Sequence, residues 1–254
     1  MQDIKNNENA MLSPLEIQSV FAQTLDDFTS SNNQTARLPN ILDTMSKRIE
    51  HTLLKMNAVP MQLTQLCNDA IQYDFRGVCC LQRYVGHCAS ILEGSGVLIV
   101  SVVDFPLCGA TPKGAVHLAQ SAIAHGANEI DMVLDVSSLK AGRPGDAFDR
   151  IALMTDACGR IPVKVILETA YLTETEIVTA CAISKAAGAA FVKTSTGFAT
   201  RGASLRDIEI MKTAVGDTMR IKASGGIKDA VFANALVAAG ADVIGTSAGM
   251  ACVG

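Results

Sequence analysis

Eight short runs of β-branched and small apolar residues, separated by helical stretches, constrain this chain more than any other feature. They are RIEHTLL (48–54), GVCCL (77–81), VLIVSVVDF (97–105), EIDMVLDV (129–136), VKVILET (163–169), FVKTSTG (191–197), RIKASGG (220–226) and DVIGTSAG (242–249). Between them lie patterns of helical period, such as Met61 to Tyr73, Ala115 to His125, Ala147 to Cys158 and Glu174 to Ala187. Four runs follow one kind of terminator: Gly-Ser-Gly-Val, Ala-His-Gly-Ala-Asn, Ala-Ala-Gly-Ala-Ala and Ala-Ala-Gly-Ala-Asp. Each supplies a glycine that ends a helix and a short turn into the next strand. Strands alternating with helices form a parallel sheet, and eight such units within 254 residues close it into a barrel. The expected fold is α/β, a (β/α)8 TIM barrel over 47–254 with an N-terminal helical extension over 1–46. An open doubly wound sheet is the alternative, weakened because no G-x-G-x-x-G follows the first strand.

The extension begins with a helix-start signal: Ser13 as N-cap, Pro14 in the first turn and Glu16 closing a capping box. Ile17, Val20, Phe21, Thr24 and Phe28 then share a helical face, and a second short helix is expected from Pro39 to Ser46. The segment reads either as a cap on the bottom of the barrel or as an oligomer contact.

Composition narrows the function. Hydrophobic residues make up 49% and charged residues 18% of the chain, enough apolar content for a large core. A net charge of −4 without clustered Lys and Arg argues against nucleic acid. No apolar run reaches the ~18 residues of a membrane span, and MQDIKNNENA has no signal-peptide core. The eight cysteines form no C-x-x-C and no zinc spacing. They read as small buried hydrophobes, which suits a cytoplasmic location and no structural metal.

Two strands carry a lysine where a barrel strand should be apolar. FVKTSTGF places Lys193 mid-strand, and IKASGG repeats the design around Lys222. A lone lysine of this kind is more often a solvated edge residue, because lysine is rarely buried without a partner. Two on neighbouring strands point to a site. Residues two apart share a strand face, so Phe191, Lys193 and Ser195 point into the barrel, as do Lys222 and Ser224, while Val192 and Ile221 pack under helices. Strands lie roughly 4.8 Å apart, which brings the two amines close. Mutual repulsion is expected to lower a lysine pKa from ~10.4 toward ~7–8, and a neutral amine is what Schiff-base chemistry needs. Asp131, sharing a face with Glu129 and Val133, lies deep enough to meet both lysines and to relay a proton. Lys164, on one face with Glu168, and Glu50, central in an otherwise apolar run, are supporting charges. Gly197, Gly225, Gly226, Gly245, Thr246 and Ser247 fall at the ends of the last three strands, where barrels bind phosphate through backbone N–H groups.

With these residues placed, the chain from about Arg48 onward resembles the deoxyribose-phosphate aldolase family of class I aldolases. The resemblance rests on HTLLK (51–55), EIDMV (129–133), KVILET (164–169), FVKTSTGF (191–198), KASGGI (222–227) and IGTSAG (244–249), in the family's order. It implies that Lys193 forms the Schiff base, Lys222 depresses its pKa and Asp131 shuttles protons through water. It also implies that Gly197, Gly225, Gly226, Thr246 and Ser247 hold the phosphate. The implied reaction is reversible cleavage of 2-deoxy-D-ribose 5-phosphate to glyceraldehyde 3-phosphate and acetaldehyde, with no cofactor and no metal. The partners implied are small phosphosugars and aldehydes, and a homo-oligomer (dimer or tetramer) is expected. Glu50 stands where the family usually has Asp, which shifts the proton network at the barrel floor. Leu81-Gln82, Cys108 and Ala248 also depart from the family pattern. Two rival readings share the residues: a transaldolase-like Schiff-base barrel, and a barrel that binds phosphosugars without turnover.

Overall fold

The computed structural model describes residues 44–253 and, ahead of them, Ser19 alone. Eight parallel strands close into a barrel in chain order: β1 Ile49–Leu53, β2 Gly77–Leu81, β3 Leu98–Val103, β4 Glu129–Val133, β5 Val163–Ile166, β6 Phe191–Lys193, β7 Arg220–Ser224 and β8 Val243–Thr246. All eight expected runs are strands. The pairing of β1 with β8, through Ile49 beside Ile244 and Glu50 beside Gly245, removes the open sheet. Of the helical expectation over 13–28 only Ser19 is described, as helix, and 39–43 lies outside the described residues; Met45–Arg48 forms a single 3-10 turn into β1.

The helices are α1 Pro60–Gln72, α2 Val85–Leu92, α3 Pro112–Ala124, α4 Val136–Lys140, α5 Pro144–Cys158, α6 Glu174–Ala186, α7 Leu205–Val215, α8 Ala230–Ala238 and α9 Gly249–Val253. Their starts are written locally. Thr173 and Glu176 form a reciprocal capping box on α6, and the side chains of Thr111, Ser204 and Asp229 accept N-terminal amides of α3, α7 and α8. The expected glycine terminators hold too: Gly96, Gly126, Gly188 and Gly240 all have positive φ, which a side chain with a Cβ resists.

The core has two layers. Outward residues of the strands, including Ile130, Met132, Val165, Val192 and Ile221, pack beneath the helices in one large apolar cluster. Each such side chain contributes about 1.5–3 kcal/mol by leaving water. Inside the barrel the lining is divided. Leu54, Cys79, Val100 and Val102 form a small apolar cluster on the β1–β3 side, whereas β4 to β7 turn Glu129, Asp131, Lys164, Lys193 and Lys222 inward, all buried.

Strands end sooner than their apolar runs suggested. β5 stops at Ile166, β6 at Lys193 and β7 at Ser224, and side chains at and beyond these ends bond across to neighbouring loops. Thr194 Oγ1 donates to Ser224 O at 3.1 Å, Ser224 Oγ donates to Ser195 O at 2.6 Å, and Thr196 N donates to Glu168 Oε1 at 3.2 Å. Among the described residues no helix is long and apolar enough to cross a membrane.

Candidate active site

β6 and β7 are in register with Lys193 beside Lys222, so alternation sends both side chains into the barrel. Asp131 on β4 receives them. Lys193 Nζ and Lys222 Nζ each donate to Asp131 Oδ2 at 2.8 Å, and Lys164 Nζ donates to the other oxygen at 2.9 Å. Lys222 also bonds Glu50. The expected meeting of Lys193, Lys222 and Asp131 therefore occurs, but the lysines do not face one another bare: a carboxylate oxygen stands between them.

The charges respond. Burial raises the pKa of the Asp131 carboxyl, but Lys164, Lys193 and Lys222 outweigh it and hold the group well below the ordinary carboxylate range. Burial disfavours the Lys222 ammonium, yet Asp131 and Glu50 more than compensate and raise its pKa. Lys222 thus favours its positive form beside Lys193, and Asp131 its negative one.

Lys222 reaches this position past a bare backbone. A Cβ built on Gly245 would lie 2.8 Å from Lys222 Cε. Gly245→Ala is expected to force the lysine stem aside and to cost roughly 1–3 kcal/mol, read as a lowered thermal unfolding midpoint. An unchanged midpoint would mean that the stem has another path.

Above the lysines opens a cavity of about 280 Å³ at the C-terminal ends of the strands. Lys193, Lys222, Gly197, Gly225, Gly226, Thr246 and Ser247 all line it. Gly197, Gly225 and Gly226 take positive φ, and the backbone packs so tightly there that a Cβ built on Gly225 would lie 2.9 Å from Gly202 Cα. Thr246 plays a different part from Ser247. Its hydroxyl donates to Ile227 O at 2.6 Å and accepts from Ala248 N at 2.9 Å, so it braces the loop. Ser247 is exposed at the mouth.

Glu50 and Lys164 are buried beneath the cavity. Glu168 does not share Lys164's face as alternation suggested. It lies past the end of β5 with φ of 55° and turns to Thr196, bonding its amide and hydroxyl. Sequence reasoning missed four residues. Lys55 and Lys228 line the mouth; Lys55 ends the HTLLK motif and Lys228 follows KASGGI, and each reads as a surface lysine. Arg76 and Glu129 lie below, joined by hydrogen bonds of 2.5 and 3.0 Å. Arg76 reads as the solvated start of a strand, and only its contact with a buried carboxylate betrays it. Among the described residues no group of three or more His, Cys, Asp or Glu side chains is arranged to hold a metal ion.

Comparison with known proteins agrees with this geometry. The profile of the family described as DeoC/LacD family aldolase matches residues 43–253. The deoxyribose-phosphate aldolase of Brevibacillus brevis is 46% identical over 209 residues, covering 82% of this chain and 95% of the relative. That of Streptococcus uberis is 44% identical over 206 residues, covering 81% and 94%. The tetrameric deoxyribose phosphate aldolase of Aeropyrum pernix superposes with a TM-score of 0.77 at 29% identity, covering 93% of this chain and 96% of that one. A buried lysine pair on adjacent strands of a closed barrel, in a chain whose length and sequence follow these enzymes, places it in the DeoC/LacD family of aldolases.

Proposed function

We propose that this protein is a class I aldolase that reversibly cleaves 2-deoxy-D-ribose 5-phosphate to D-glyceraldehyde 3-phosphate and acetaldehyde. The observation that carries the reading is the pair of lysine nitrogens, Lys193 Nζ and Lys222 Nζ, on one Asp131 oxygen at the floor of an open cavity. Lys193 Nζ, in its neutral form, attacks carbon 1 of the open-chain sugar, and loss of water gives an iminium. The C3 hydroxyl then gives up its proton, the C2–C3 bond breaks, and its electron pair enters the iminium to form an enamine. Asp131, with Lys222 on the same oxygen, relays the proton through water and returns it to carbon 2. Hydrolysis of the second iminium releases acetaldehyde and frees Lys193. Leu54, which lines the cavity, belongs to the apolar cluster of Leu54, Cys79, Val100 and Val102 on the opposite side of the barrel.

Gly197, Gly225, Gly226 and Ser247 would hold the phosphate at the mouth, with Thr246 bracing their loops. Lys55 and Lys228 line the same cavity and bring two positive charges to a dianion. Lys55→Met and Lys228→Met are each expected to raise KM for the phosphorylated sugar roughly tenfold, the size of a charge-assisted hydrogen bond. Turnover of unphosphorylated deoxyribose should be nearly unchanged. Equal losses on both substrates would place these lysines outside phosphate recognition. A family relative of known tetrameric form supports an oligomer here as well, and sedimentation of the full chain measures it.

The direct test is incubation with acetaldehyde or deoxyribose 5-phosphate, reduction with borohydride, and peptide mapping by mass spectrometry. A stable adduct on Lys193 is expected. A folded protein that binds deoxyribose 5-phosphate but forms no adduct would instead be a phosphosugar-binding barrel.

A further inference from the structure

Beneath Lys193 the buried charges form a closed circuit. Arg76 bridges Glu50, at 2.5 Å from Nη1, and Glu129, at 2.5 Å from Nη2. Lys164 bridges Glu129, at 2.5 Å, and Asp131, at 2.9 Å. Lys222 bridges Asp131, at 2.8 Å, and Glu50. Three carboxylates thus alternate with three cations around the inside of the barrel, each bridging two of the opposite sign along the circuit, and Lys164 also lies 3.6 Å from Glu50 across it. Glutamate at position 50 has the reach for this, because one oxygen takes Lys222 and the other Arg76. The circuit is electrically neutral. Lys193 stands outside it, and among the described residues its one ion-pair partner is Asp131, whose charge the circuit already balances.

We propose that this ring of six charges is the device that keeps Lys193 available as a neutral nucleophile, and that Arg76 and Glu129, at the floor of the barrel, are positioning residues for the reaction. This rests on the assignment of Lys193 as the Schiff-base lysine. With the ring complete, a proton on Lys193 leaves the barrel interior with one uncompensated positive charge, which a low-dielectric interior disfavours. The remaining elements around Lys193 do not cancel it. β2 offers the buried thiol of Cys79, whose pKa burial pushes up. β3 and β8 contribute no titratable side chain. Glu168 is turned to Thr196, and Arg220 lies at the floor over the Phe191 ring, 3.9 Å from its centroid, exposed to water.

The ring makes a prediction that a merely structural network does not: removing a cation and removing a carboxylate should move the pH dependence in opposite directions. Arg76→Met leaves an excess negative charge, which supports a proton on Lys193. The acid limb of the kcat/KM profile should shift up by roughly one pH unit, the scale of a unit charge several ångströms away in a partly screened interior. Glu50→Gln and Glu129→Gln leave an excess positive charge, so the same limb should shift down by about as much. Glu129→Gln is the cleaner variant, because Glu129 has no ion pair with Lys193 or Lys222. Combining Arg76→Met with Glu129→Gln restores neutrality and should return the limb to near its original position, even where the rate is low. Arg76→Lys keeps the charge and should leave the limb unmoved.

The profile is to be followed by two readouts, turnover and the pH dependence of borohydride trapping of acetaldehyde on Lys193. Opposite shifts with cancellation in the double variant establish the ring. Shifts in one direction for both kinds of variant, or no shift in variants that trap aldehyde on Lys193, overturn it while leaving the aldolase reading intact. Should Arg76→Met fail to fold, the sign of the Glu129→Gln shift decides. Absence of any Lys193 adduct in the unaltered protein is the separate failure that removes the Schiff-base assignment and the ring's purpose with it.

Discussion

Lys193→Ala is expected to abolish both the borohydride-stable adduct and aldol cleavage, with kcat/KM falling by roughly 10⁴-fold or more. No neighbouring group inherits the role. Lys222 is held protonated by Asp131 and Glu50, and Lys164 is locked beneath it between Glu129 and Asp131. Both favour the protonated form, which has no lone pair for attack on a carbonyl, and Lys164 is fully buried as well. The substitution should leave the fold nearly intact, since Lys193 stands outside the balanced set of charges. Adduct formation at Lys222 in the variant would sink the assignment. So would residual cleavage within a hundredfold of the original rate.

Asp131→Asn should be the second most damaging change, and for two separable reasons. Its carboxylate is fully buried and bonded by three lysine nitrogens. Taking away its charge removes one counter-ion from Lys164 and from Lys222, and breaking a buried ion pair from one side costs about 3–5 kcal/mol. It also removes the proton relay, worth typically 10²–10⁴-fold in rate. Thermal unfolding and kcat measured on the same preparation separate the two effects. If kcat fell less than tenfold, Asp131 would be a structural counter-ion only.

The same group gives stability a defined pH window. The carboxyls of Asp131 and Glu129 sit below their unfolded values, so their contribution is present above about pH 4 and is lost as pH falls through the lower folded values. Lys164 and Lys222 sit above theirs, so their contribution is complete below about pH 10.4 and fades as pH rises through the higher folded values. Between those limits the charges in the barrel interior hold the sheet together.

Much of the site was legible because strand periodicity is simple. Once β6 and β7 are recognised, Lys193 and Lys222 must share the face opposite Val192 and Ile221, and the structure keeps that assignment. Asp131 followed by the same alternation on β4. Glu168 escaped it because the strand ends at Ile166. Beyond that residue a left-handed backbone angle, not the pleat, sets the side chain's direction. Thr246 shows a different limit. The sequence presents a hydroxyl near glycines, but whether it faces a ligand or a carbonyl depends on how the loop after β7 folds back, and Ile227 claims it.

What the sequence determined by itself is therefore local and periodic: eight strands, their caps and glycine terminators, the inward lysines and the cavity they face. Each depends on neighbours a few residues away, or on a pleat of period two. Only the closed barrel decided the electrostatics. Arg76, Glu50 and Glu129 come from three separate strand starts and meet because β1 to β8 close around a common axis. No spacing in the chain records that meeting. Whether a buried lysine is charged or neutral depends on the sum of the charges gathered there, which is a property of the closed interior and not of any strand.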